Sequence, residues 1–99
     1  MNLDAHALNA ALAAAVGDDT VLNRELRIAF LEGAAQHCGE LARARTESQW
    51  CIAAWRLQGL AASFGARTLA ELAEKAANGR PGDPVALCRL GDAVAEFTR

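Results

Sequence analysis

Apolar residues recur every three or four positions along nearly the whole chain, the spacing of helix faces that turn toward a shared core. Leu3, Leu8, Leu12 and Val16 form the first such stripe, over about residues 3 to 16, and it stops at "GDD". The second begins near Asp19 or Thr20 and runs to about Arg45, with Leu22, Leu26, Phe30, Ala34, Cys38 and Leu41 on one side. A third opens at "TESQ", where Thr46 caps the first amides and Gln49, three residues on, reaches back as in a capping box. It ends at Gly65, a left-handed C-cap. The fourth, about 67 to 78, buries Leu69, Leu72 and Ala76 and ends at "NG". The fifth starts at "DP", with Asp83 as N-cap and Pro84 at the first helical position, and carries Leu87, Leu90, Val94 and Phe97.

Composition sharpens this into a fold class. Alanine and leucine dominate, tyrosine is absent, and both prolines fall within "RPGDP", a balance that favours helices over strands. Short connections between amphipathic helices predict antiparallel neighbours. The expected architecture is all-α: an antiparallel up-down four-helix bundle over residues 17–99, with a short additional N-terminal helix within 1–16 as a lid. The 99 residues supply one modest core and hence a single domain, 1–99.

Charge and candidate ligands narrow the function classes. The formal net charge is −2, with both signs scattered along the chain, so the basic footprint of a nucleic-acid binder is missing. No apolar run reaches the ~18 residues of a membrane span, and "MNLDAHALNA" lacks the basic start of a secretory signal. The expectation is a cytoplasmic chain with no membrane or nucleic-acid partner. Cys38, Cys51 and Cys88 are odd in number and have no zinc-site spacing, so they read as reduced, mostly packed thiols. Metal binding is not expected at His6 or His37, and no cofactor is expected. The acidic pairs Asp18/Asp19 and Glu71/Glu74 read as helix-start and solvated-face charges.

The stretch "AAWRLQGLAASFGA" departs from the amphipathic rule. At about 100° per residue, Trp50, Ala53, Ala54, Leu57, Leu60, Ala61 and Phe64 fall within about 60° of Leu57 and make a complete core stripe. Trp55 lies roughly 160° from Leu57. On its side of the wheel are Ser48, Ile52, Gly59, Ala62 and Ala66, with Arg56 and Gln58 at the edges. An outward face that is apolar and small, rather than charged, has the composition of an interface around an aromatic anchor. Gly59 costs its helix about 1 kcal/mol relative to alanine, a penalty that makes sense where another surface approaches the backbone.

The run "AAWRLQGLAASFGARTLAELAEKAA" resembles the central helices of histidine-containing phosphotransfer domains, the phosphoryl carriers of bacterial and plant two-component phosphorelays. The resemblance covers about residues 17 to 97. Their motif is a histidine, two residues, lysine and glycine, then Gly-Ala and a leucine-rich helix. Here Gly59 matches the glycine, Gly65 and Ala66 the later pair, and "RTLAELAEKAA" the leucine-rich helix. "LRIAFLEGAAQHCGEL" resembles the family's second helix, with Phe30 as its buried aromatic. The histidine position holds Trp55 and the lysine position holds Gln58. Indole nitrogen is a hydrogen-bond donor only and cannot act as the phospho-accepting nucleophile. Glutamine cannot neutralise phosphate charge.

The resemblance therefore implies a docking scaffold without the transfer chemistry, and not an enzyme. Its partner would be a response-regulator receiver domain or a histidine kinase, bound through Ile52, Trp55, Arg56, Gln58, Gly59 and Ala62. Two alternatives stand beside it: a homodimer built on paired third helices, and an active phosphotransfer protein using His37 or His6.

Overall fold

The computed structural model describes residues 3–98, all helix and connection, with no strand among them. Met1, Asn2 and Arg99, the ends of the expected 1–99 domain, lie outside the described residues. The elements are α1 (Leu3–Val16), α2 (Thr20–Arg43), α3 (Glu47–Ser63), α4 (Arg67–Ala77) and α5 (Pro84–Ala95), followed by a 3-10 turn at Glu96–Thr98.

Local chemistry sets most boundaries. α1 stops where Gly17 takes a left-handed φ of 59°. Asp19 caps α2 by accepting from the Leu22 amide at 2.9 Å, Thr46 caps α3 by accepting from the Gln49 amide at 3.1 Å, and Asp83 accepts from Val85 at 3.0 Å. The capping box at α3 is displaced by one residue, because Gln49 Oε1 accepts from the Arg45 amide (2.8 Å) and not from that of Thr46. Gly65, at φ 74°, turns the chain from α3 into α4.

Packing joins α2 to α3, α3 to α4, α4 to α5 and α5 back to α2, while α1 lies against α2, α4 and the 3-10 turn. Trp50, at the start of α3, meets Ala76, at the end of α4, so these two helices run antiparallel. The α2–α3 contact has the same sense. Arg56 reaches Glu40, and a Cβ added at Gly33 would come within 3.0 Å of Leu60 Cδ2. Phe30 sits centrally, its ring 5.0 Å from Phe64 and 5.1 Å from Phe97, the latter edge-on. Leu8, Leu12, Phe30, Leu41, Trp50, Leu57, Leu69 and Leu90 are the largest fully buried side chains.

Two stripe positions differ from expectation. Leu22 is exposed: Phe30 is already level with Phe64, just past the end of α3, so the first turns of α2 run on beyond that helix. Leu3 is also exposed, because the inward line of α1 is Asp4, Leu8 and Leu12, spaced by fours. The buried Asp4 carboxylate accepts from the amides of Thr68 (3.0 Å) and Leu69 (2.9 Å). α4 has Ala66 at its N-cap, which offers no side-chain acceptor, so α1 supplies the missing cap from across the structure. Burial of Leu8 and Leu12 contributes about 1.5–3 kcal/mol each, against about 1 kcal/mol for a cap. The leucines hold α1 down, and Asp4 fixes its register.

Asp4→Ala should therefore lower unfolding stability by about 1–2 kcal/mol without unfolding the chain, read from urea midpoints. Asp4→Asn, which keeps one acceptor oxygen, should recover part of the loss.

Candidate functional site

α3 has two unlike sides. On one, Trp50, Ala53, Ala54, Leu57 and Ala61 are buried, as the wheel predicts, while Leu60 and Phe64 are partly buried against the same core. The Trp50 indole donates from Nε1 to the Ala76 carbonyl at 2.6 Å, and Cys51 Sγ donates to the Ala77 carbonyl at 3.4 Å. Both contacts tie α3 to the last turn of α4.

On the other side, Trp55 is 46% exposed and Ile52 52% exposed. Ser48, Arg56, Gly59 and Ala62 are exposed, and Gln58 is partly buried at the edge. The six predicted partner-binding residues, Ile52, Trp55, Arg56, Gln58, Gly59 and Ala62, thus lie outside the core on one helix. Ala66 is a correction: it is fully buried. The helical wheel no longer applies past Ser63, where the chain turns at Gly65 and delivers Ala66 to the start of α4.

Gly59 has no packing role within the chain. A Cβ at this position would find nothing within 4 Å, and φ is not in the left-handed region. Its carbonyl accepts from Ser63 Oγ at 2.8 Å, which adds a local polar contact and needs no glycine. Leaving nearly half of an indole in water forgoes roughly 2 kcal/mol of burial. Gly59 is not explained by the chain's own packing.

A charged cluster borders this face, and it was only partly visible in the sequence. His37 Nδ1 lies 2.6 Å from Glu40 Oε1, and Arg56 Nη1 lies 3.7 Å from Glu40 Oε2. With the carboxylate accepting, Nδ1 carries the proton. The hydrogen bond from His37, helped by the charges of His37, Arg56 and Arg43, holds the Glu40 carboxyl below its usual pKa. His37 and Glu40, one helical turn apart, are a pair that spacing alone can suggest; the reach of Arg56 from α3 is not. Arg43, Gln49, Ile52 and Arg56 line a shallow groove of about 410 Å³ between the end of α2 and the start of α3, continuous with the Trp55 face through Ile52 and Arg56. His6 is exposed on α1.

The thiols depart in part from expectation. All three are free, Cys38 and Cys51 are partly buried, but Cys88 is exposed on α5. Burial raises the pKa of Cys38 and keeps it protonated. Among the described residues no group of three or more His, Cys, Asp or Glu side chains forms a metal-binding cluster, and no helix is long and apolar enough to cross a membrane. Comparison with protein-family models, curated proteins and solved structures finds no match to this chain.

Two outcomes follow. Gly59→Ala should raise unfolding stability by about 0.5–1 kcal/mol, measured by urea or thermal denaturation, because the helix gains a better former and nothing is displaced. Glu40, with its folded pKa depressed, should contribute stability at pH values above the ordinary glutamate pKa of about 4.3 and lose it as pH falls through the folded value. Wild type minus Glu40→Gln stability, followed from pH 7 downward, should accordingly shrink across that acidic window.

Proposed function

We propose that the chain is a helical docking protein of two-component signalling, in which the outer face of α3 binds a response-regulator receiver domain without passing a phosphoryl group. In this reading α2 to α5 are an antiparallel up-down four-helix bundle of the phosphotransfer type, α1 is an added N-terminal helix, and the protein works in the cytoplasm. The observation that carries the proposal is Trp55: an indole 46% exposed at the position where the resembled motif has its histidine.

The physical support is the character of the face. Ile52, Trp55, Gly59 and Ala62 form a line without charge, with Arg56 and Gln58 beside it. Such a line accepts an apolar partner surface at the centre and polar contacts at the rim, the distribution found in protein interfaces. Gly59 lets that surface approach the backbone. An indole there adds contact area with few rotatable bonds, which is why Trp is frequent among binding hot spots. The same substitution removes the nucleophile, and Gln58 removes the cation that would face phosphate.

The test is a binding titration of the chain against receiver domains, with the histidine kinases of the same systems run in parallel. Trp55→Ala should weaken receiver binding by at least about 2 kcal/mol, or roughly thirtyfold, while the chain stays folded with its helical circular dichroism kept and a stability loss of about 2 kcal/mol from the buried half of the ring. Incubation with a phosphorylated receiver domain should leave no acid-labile label on the chain. Undiminished affinity in Trp55→Ala removes the α3 face from the site, and label on His37 or His6 makes the protein a carrier. Concentration-dependent dimerisation in sedimentation, abolished by Trp55→Ala, would instead assign the face to a second copy of the chain.

A further inference from the structure

We propose that a pocket between the end of α4 and the start of α5 binds a small carboxylate with a compact apolar body. The pocket encloses about 140 Å³ and is separate from the Trp55 face. Its apolar wall comes from Trp50, Leu72, Val85 and Ala86. Around this wall stand Lys75 from α4, Arg80 from the connection and Arg89 from α5. Their convergence is not a consequence of overall charge, since the chain is net negative at −2.

None of these three cations forms an ion pair with another described residue. One acidic side chain, Asp83, shares the pocket, and its Oδ1 already accepts from the Val85 amide. Three cations against one carboxylate leave a local balance of +2. Such a site favours an anion.

Size and wall chemistry restrict which anion. The volume is well below the ~300 Å³ at which pockets that engulf a whole larger ligand begin. A carboxylate offers two coplanar acceptor oxygens that match a guanidinium fork, and Arg80 and Arg89 each present one. Its apolar remainder would lie against Leu72, Val85 and Ala86 and displace water from them. Bare acetate or phosphate gains the charge and not this wall. A benzoate-sized monocarboxylate satisfies both demands.

The experiment is an amide chemical-shift titration of the full chain with benzoate, with benzamide, acetate and inorganic phosphate as separate arms. Benzoate should give saturable shifts centred on Ala76, Gly79 and Val85. It should bind at least about tenfold more tightly than benzamide, which loses the charge-assisted hydrogen bond, and than acetate or phosphate, which leave the apolar wall uncovered. The Arg80→Ala/Arg89→Ala double variant, altered only at exposed positions, should keep its helical circular dichroism and lose at least about tenfold in benzoate affinity. Equal binding of benzamide, acetate or phosphate overturns the proposed ligand class. Wild-type benzoate affinity in the double variant, or shifts centred elsewhere, overturns the site.

Discussion

The hydrogen bond from the buried Trp50 indole to the Ala76 carbonyl sets the rotation of α3, and the rest of the surface follows from that rotation. Two tryptophans five residues apart on an α-helix point about 140° away from each other, so both cannot enter one core. Trp50 is fully buried, with its single donor satisfied by a carbonyl in the last turn of α4. Turning α3 to hide Trp55 would break that bond and expose a larger apolar area along with it. The outward indole is thus the consequence of an inward one.

This arrangement divides α3 between two tasks. Its inner side, built from Trp50, Ala53, Ala54, Leu57 and Ala61, uses small residues to let α2 and α4 come close, and the close approach of Leu60 to Gly33 extends the same economy to α2. The outer side is also made of small residues, yet nothing in the chain comes near it at Gly59. Small residues inside permit packing; outside, with no neighbour to accommodate, they leave a low and uncharged surface. That contrast is the physical basis for reading the outer side as a place of contact. The Glu40 cluster adds a charged border at the α2 edge, where Arg56 serves both the ion pair and the groove wall.

A second surface lies on the Trp50 side. Trp50 forms part of the floor beneath Lys75, Arg80 and Arg89, so the two indoles belong to two different environments. One is uncharged and faces away from the core; the other is roofed by cations. The carbonyl that holds Trp50 comes from Ala76, itself a residue of this second pocket.

Features written within a few residues of one another were legible in the sequence. The caps Asp19, Thr46 and Asp83, the turn at Gly65, the inward stripe of α3 and the outward place of Trp55 all depend on spacings of one to four residues along a helix, where geometry is fixed by the backbone itself. Other features were not legible, because they join residues far apart in sequence. No local signal marks Asp4 as a cap, since the fold alone brings it to the uncapped amides of α4, more than sixty residues away. Leu3 and Leu22 satisfied the periodicity and are exposed, since a period gives a face and not the length of the neighbour that covers it. Ala66 continued the wheel on paper and left it at the Gly65 turn. The sequence by itself determined the helices, their ends and the outward indole, all local consequences of the backbone. Only the tertiary structure decided which helix caps which, that Arg56 meets Glu40, and that Lys75, Arg80 and Arg89 share one pocket, because such meetings depend on how the helices pack.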